Sequence, residues 1–193
     1  MKILLSPHND DESLFAAHLC IRERPCVIVC LRSHFQESFG ITAGQREAES
    51  TLALLALGCE WEQWEFPDIA PPWPLLEERL RGLDAACTPE TVYAPAYDFA
   101  ANGHAPGEPP QQFGVMHHDY VGWLAHAVFG ERARFYQTYT RWGGPVQEGV
   151  RVRLTPEERR LKQLALSAYA SQIGLDSTGH HFSRSLAWEW LRR

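Results

Sequence analysis

The sequence predicts an α/β fold: one domain over residues 1–193, built on a mostly parallel sheet flanked by helices. Three observations predict it. A short apolar run, Ile3-Leu4-Leu5, leads through a polar turn into a helical segment and then into Cys26-Val27-Ile28-Val29-Cys30-Leu31. That second run is continuously apolar, as a parallel strand buried on both faces requires, and strand–helix–strand over this distance is a βαβ unit. Apolar runs and amphipathic segments keep alternating as far as Pro95. The 193 residues, 45% apolar and 22% charged, have the size and composition of one globular domain.

The elements follow in order. Residues 12–22 read as a helix with Leu14, Ala17 and His18 on one face, His18 lying near the core edge rather than among ligands. Pro25 breaks the chain before the second strand, and Arg32 to Thr42 is a polar loop in which His34 is expected to be solvated. Residues 43–57 form a helix with Ala48, Leu52, Leu55 and Ala56 as its apolar stripe, stopped by Gly58. Cys59 to Phe66 is the third strand, ended by Pro67-Asp68. A proline-rich loop then carries Trp73 over the sheet or to the rim of a pocket, and residues 75–86 form a helix on Leu76, Leu80 and Leu83. Val92-Tyr93-Ala94-Pro95 is a fourth strand, and residues 97–114, with His104, form a long aperiodic loop.

His117-His118-Asp119-Tyr120 opens a helix running from Val121 to Phe129, with His126 too far along it to join a site at its start. Residues 133–140 alternate like a strand, Trp142 to Pro145 is a turn, and Val150 to Leu154 is a last strand. Thr155-Pro156-Glu157-Glu158 is a capping box that starts a helix through Leu161, Leu164 and Ala168 to Ile173, ended by Gly174. Residues 183–192 read as a final amphipathic helix with Leu186 and Trp190.

Chemistry concentrates where the first strand ends. His8-Asn9-Asp10-Asp11-Glu12 puts one imidazole and three carboxylates at the carboxyl end of a strand, which is where open α/β sheets bind ligands. The helix dipole offsets part of that negative charge, and a divalent cation would offset far more. His8 and Asp11, three apart across a turn, can reach one metal, leaving Asp10 free to take a proton from a water activated there. The plainer alternative is that these acids only cap the helix. Of the adjacent His117 and His118, whose side chains leave a helix about 100° apart, one is expected to join the same ion. Arg46 and Glu49 form an i, i+3 ion pair worth about 0.2–0.5 kcal/mol on an exposed helix, or Arg46 holds a polar substrate.

Composition excludes other classes. A net charge of −6 speaks against a nucleic-acid partner. Five scattered cysteines without a CxxC pair read as reduced thiols, not a disulfide framework or a cysteine-rich zinc site. No apolar run is long enough to insert in a membrane, and no basic segment with an apolar stretch precedes the first strand, so a soluble cytoplasmic protein is expected.

Four segments in order resemble the PIG-L/LmbE-like family of N-deacetylases: His8-Asn9-Asp10-Asp11-Glu12; Arg46-Glu47-Ala48-Glu49 with Leu57-Gly58 closing its helix; Pro67-Asp68; and the segment around His118. Ala168-Tyr169-Ala170-Ser171-Gln172 is similar to the family's C-terminal helix. The resemblance implies a Rossmann-like fold and one Zn²⁺ held by His8, Asp11 and His118. It also implies Asp10 as general base and Arg46 with Asp68 on substrate hydroxyls. Three protein ligands leave an open position, as a catalytic zinc needs. The implied reaction is removal of an acetyl group from an N-acetylated sugar or related small amine. The chain departs from the family at Val115, which stands where the second motif has its first His, and at His117, which stands for an Asp. His117, His104 and His181 are the residues that can replace the missing general acid, and His117 is the one adjacent to a ligand. Asn9 stands for the usual Pro, and both tolerate a turn.

Two other readings compete. In one, the chain binds metal and ligand with weak or no turnover. In the other, it is a receiver-like signalling domain with Asp68 as phosphoacceptor, a reading that gives His8 and His118 no role. The aromatic residues near the loops, Phe35, Phe39, Trp73, Tyr97, Phe99 and Phe113, suit stacking on sugar rings and suit internal packing or a homo-oligomer contact equally well.

Overall fold

Two apolar runs, β1 (Lys2–Ser6) and β2 (Cys26–Arg32), pair inside the sheet in a computed structural model of the chain, buried along almost their whole length. The structure describes residues 1–98, 115–138, 149–175, 182 and 188–192. The loop histidine His104, the turn at Trp142–Pro145, Tyr139, His181 and Leu186 lie outside the described residues.

The remaining elements are α1 (Asp11–Phe15), α2 (Ala17–Glu23), a 3₁₀ turn (Phe35–Phe39), α3 (Ala43–Leu57), β3 (Trp61–Pro67), α4 (Trp73–Cys87), β4 (Thr91–Pro95) and α5 (Val115–Phe129). They continue with a second 3₁₀ turn (Gly130–Arg132), β5 (Ala133–Tyr136), β6 (Val150–Arg153), α6 (Pro156–Ser167), α7 (Ala170–Ile173) and β7 (Trp188–Leu191). One seven-stranded sheet has the order β3-β2-β1-β4-β5-β7-β6. The first five strands are parallel and β7 runs antiparallel to both β5 and β6. The α/β class and the mostly parallel sheet are as the sequence predicts.

Apolar residues pack on both faces. One cluster holds Leu4, Val27, Val29, Leu54, Leu57 and Tyr169, and the other Ile3, Leu5, Ile28, Leu31, Leu76, Leu80, Val92 and Leu124. The chain moves from β1 outward through β2 to β3, then returns to lay β4 on the other side of β1. The order reverses between β1 and β4, and the carboxyl ends of the strands at such a point are where these sheets take ligands. α5 is seated there by Gly122, where a Cβ would lie 2.2 Å from the Pro95 carbonyl oxygen and 3.3 Å from the Tyr97 Cβ. Gly122→Ala must therefore push α5 off the end of β4. We expect a loss of about 3 kcal/mol, the upper range for overpacking, seen as a fall in Tm of about 6–12 °C in a chain of this length.

The structure corrects several expected elements. The helix expected over 12–22 is two helices, broken at Ala16 (φ −129°, ψ 18°). The break frees the Leu14 carbonyl, which accepts a hydrogen bond from the Lys162 ammonium at 2.7 Å. Helix α3 has the expected bounds but buries another face. Arg46, Glu49, Ser50, Ala53, Leu54 and Leu57 point inward, while Leu52 and Leu55 are both 59% exposed. The buried ion pair Arg46–Glu49 turns the helix. The helix expected through Ile173 is interrupted at Ala168-Tyr169, because Tyr169 turns into the core to reach Glu12. The helix expected over 183–192 is replaced, in its described part, by strand β7, paired from Val150↔Leu191 to Arg153↔Trp188. Its Glu189 is buried against Lys162 and His18, so the Trp-Glu-Trp alternation serves a strand. His18 is likewise inside, at 2% exposure, rather than at the core edge. Among the described residues no helix is long and apolar enough to cross a membrane.

Candidate metal centre

The turn after β1 is built from polar contacts. Ser6 donates its hydroxyl to the Glu12 carboxylate at 2.8 Å, and Asn9 donates its amide to the Gln63 side chain at 2.7 Å. Ser33 in turn donates to Asn9 Oδ1 at 3.2 Å, so the turn is pinned to the ends of β2 and β3. Asn9 thus does by hydrogen bonding what a proline would do by ring closure. Asp10 occupies the N-cap of α1 but makes no side-chain capping bond, while Asp11 and Glu12 stand in its first turn.

Asp11 is the hub. Its Oδ2 accepts the His8 backbone N–H at 2.9 Å and lies 3.2 Å from His8 Nδ1, while its Oδ1 lies 2.9 Å from His118 Nε2. One ligand atom from each of His8, Asp11 and His118 lies within 4.8 Å of the others. Two imidazoles and a carboxylate are the donor set of a zinc site. Burial opposes the Asp11 charge, yet His118 and His8 hold its carboxyl far below the usual range. Burial also opposes a charge on His8, but Asp11 outweighs it and raises the imidazole.

Asp10 and Arg46 form the second layer. Arg46 is 1% exposed and donates one guanidinium nitrogen to Asp10 Oδ2 at 2.7 Å and to the Asn9 carbonyl at 3.3 Å. Its other terminal nitrogen donates to Glu49 at 3.0 Å, and the group lies over the Tyr169 ring at 5.2 Å. Glu49 is itself held by the backbone N–H and hydroxyl of Ser171, at 2.8 and 2.7 Å. Of the two sequence readings of Arg46, the i, i+3 pair is present, and it is buried beside Asp10. Burial raises the Asp10 carboxyl above its ordinary value, against the pull of Arg46. Asp10 and His8 keep 16% and 14% of their side chains exposed, against 1% for Asp11 and 2% for His118. Solvent therefore meets the cluster on the Asp10–His8 side.

Asp68 is buried beyond β3, accepts the His34 backbone N–H at 2.8 Å, and its charge is felt at His8. His117 is 2% exposed, with its Nδ1 2.8 Å from His8 Nε2. Burial, then His8 and His118, push the His117 imidazole well below its ordinary value, so it is neutral near pH 7. His126 turns instead to the Tyr97 hydroxyl at 2.7 Å. Trp73 lies flat on Tyr120, with ring centroids 4.6 Å apart and planes at 13°, and its centroid is 5.8 Å from that of His117.

Sequence reasoning missed the support beneath Glu12. Tyr169 donates to it at 2.5 Å and Ser13 at 2.9 Å, and burial raises its carboxyl to about 7. The Tyr169 contact spans 157 residues, and the one available signal was the likeness of the Ala168–Gln172 run to a family helix. The His117–His8 contact was missed too, because nothing in two adjacent histidines says which neighbour the second one meets.

The chain matches no protein-family model, and no curated protein matches it. Solved structures do match in fold. The antimicrobial reagent A40926 pseudoaglycone deacetylase is 20% identical over 90% of this chain and 83% of its own, with a TM-score of 0.64. The zinc inhibited form of teicoplanin deacetylase is 16% identical over 90% and 85%, with a TM-score of 0.62. The 4-carboxy-2-hydroxymuconate hydratase of Pseudomonas putida is 15% identical over 100% and 95%, with a TM-score of 0.67. At such identities the likeness is one of fold, and the fold carries more than one chemistry.

Proposed function

We propose that the chain is a zinc-dependent amide hydrolase, an N-deacetylase that frees acetate from an N-acetylated sugar or related small amine. The observation that carries the reading is the convergence of His8 and His118, from opposite sides of the sheet's reversal point, on the two oxygens of Asp11. His8, Asp11 and His118 would hold the ion. Bound there, zinc supplies a Lewis acid that polarises a carbonyl oxygen and makes water a nucleophile near neutral pH. Structural neighbours named as deacetylases, one of them a zinc inhibited form, support the same reading.

The chain's own residues account for the proton movements. Asp10 is the general base, its Oδ2 fixed by Arg46 and its carboxylate partly open to solvent. It takes a proton from the attacking water as the C–O bond forms. That proton passes to the departing nitrogen as the C–N bond breaks, giving acetate and a free amine. His117, neutral at rest, is the nearest replacement for the missing histidine, and would receive that proton before giving it to the nitrogen. Arg46 and Asp68 are the substrate-hydroxyl residues of this reading. The partner is a small molecule, not a nucleic acid, and the setting proposed is the cytoplasm.

A second reading, metal and ligand binding with little turnover, is favoured by one observation: Val115 stands where the resembled family has a histidine. Losing one transition-state stabiliser costs about 10²–10³ in rate. A screen of N-acetylated sugars and amines with zinc-loaded protein, read as acetate release, separates the two. In the first reading acetate appears, and Asp10→Asn lowers its rate about 10²–10⁴-fold while zinc stays stoichiometric. Stoichiometric zinc without acetate from any such compound leaves the second reading.

A further inference from the structure

We propose that His117 is a positioning residue for His8, fixing which nitrogen of that imidazole faces the metal site. The inference rests on the metal centre described above. The His8 ring is engaged at both of its nitrogens. Nδ1 lies 3.2 Å from Asp11 Oδ2, on the side of the ligand set, and Nε2 lies 2.8 Å from His117 Nδ1. Two ring nitrogens at that separation share one proton, because two bare lone pairs would repel and two N–H groups would collide. His117 is not part of the His8–Asp11–His118 triangle. It meets the His8 ring at the nitrogen opposite the one that faces Asp11.

A metal-bound histidine ordinarily donates its second N–H to a carboxylate or carbonyl, and that bond sets its tautomer and ring angle. In this chain the acceptor is another imidazole. With the shared proton on His8 Nε2, Nδ1 of His8 is left as a lone pair turned toward Asp11. His117 then accepts through Nδ1 and carries its own proton on Nε2. Helix α5 makes this economical, since adjacent side chains diverge by about 100°: His118 meets Asp11 directly and His117 meets His8 from behind. The His117 ring is held in place, 2% exposed, with the Trp73 ring at 5.8 Å and Trp73 stacked on Tyr120.

The test is zinc affinity by chelator competition, with ¹⁵N NMR of the imidazoles in the zinc-loaded chain. His117→Leu is expected to weaken zinc binding about 10–100-fold, the usual cost of losing such a partner. His117→Asn, whose carbonyl oxygen can accept the same proton, is expected to recover most of it, and His8 of the unaltered chain should carry its proton on Nε2. Melting of the metal-free variants guards against misfolding. Zinc affinity of His117→Leu within roughly threefold of the unaltered chain overturns the proposal, as does equal weakness of the Leu and Asn variants, which would mark a packing role. Failure of the unaltered chain to take up zinc overturns both this proposal and the hydrolase reading. Zinc lost in His117→Leu and regained in His117→Asn, with no acetate released by any form, supports the positioning role while the hydrolase reading fails.

Discussion

His118→Ala is expected to strip the chain of stoichiometric zinc and, with it, of any acetate-releasing activity. His8 and Asp11 come from one turn and would hold an ion with two side chains. His118 closes the set from α5, with its Nε2 2.9 Å from Asp11 Oδ1. Loss of an outer partner of a metal ligand costs about 10–100-fold in affinity, so loss of a ligand itself should exceed about 100-fold and leave no zinc after dialysis against a mild chelator. The metal-free protein changes as well. Asp11 is buried, and it stays charged because His118 and His8 both face it, so removing one imidazole leaves a buried carboxylate half compensated. His126→Ala is the control, since His126 lies on the same helix but bonds to Tyr97. Elemental analysis should find about one zinc per chain in the unaltered protein and in His126→Ala, and close to none in His118→Ala. One zinc retained per chain in His118→Ala would refute the assignment of the site.

The contrast between what the residues revealed and what they hid follows the range of the interactions. Helix α3 spans Ala43–Leu57 as expected because its cap at Thr42 and its stop at Gly58 are written within one turn of each end. The capping box at Thr155 and Glu158 is legible for the same reason. The turn from His8 to Glu12 stood out because covalent geometry alone brings its acids together. The face that α3 buries was misread, since Leu52 and Leu55 look like core until the Asp10–Arg46–Glu49 network claims the other side. That network depends on Ser171, 122 residues from Glu49. Strand β7 was misread as a helix for a related reason. Its periodicity is too short to decide, and its state is set by neighbours β5 and β6 and by the partners of Glu189. The convergence of His8, Asp11 and His118 was legible in part because two of the three are local. The His117–His8 contact was not, because the partners lie 109 residues apart.

Glu189→Ala is expected to be the most destabilising single change away from the metal centre. Glu189 is 3% exposed; its Oε1 accepts from Lys162 Nζ at 2.6 Å, and its Oε2 accepts the His18 backbone N–H at 3.0 Å and pairs with the His18 ring. Lys162 is 3% exposed and also donates to the Leu14 carbonyl exposed by the α1–α2 break. Removing the carboxylate strands a buried ammonium, and breaking a buried pair in this way costs about 3–5 kcal/mol. For a chain of this length that is a fall in Tm of about 6–20 °C. The pH dependence gives an independent check. Burial opposes the Glu189 charge, but Lys162, with His18, draws its carboxyl down to about 2 from the ordinary 4.5. A depressed carboxylate contributes its stability above its unfolded value and loses it as pH falls toward its folded one. The contribution is therefore complete above about pH 4.5 and gone near pH 2. Glu189→Gln should flatten that part of the acid-unfolding curve. Lys162→Met combined with Glu189→Leu, which removes both charges and keeps the volume, should cost less than the sum of the single changes. A Glu189→Ala melting curve within about 2 °C of the unaltered protein would mean that β7 is held to α2 and α6 by apolar packing alone.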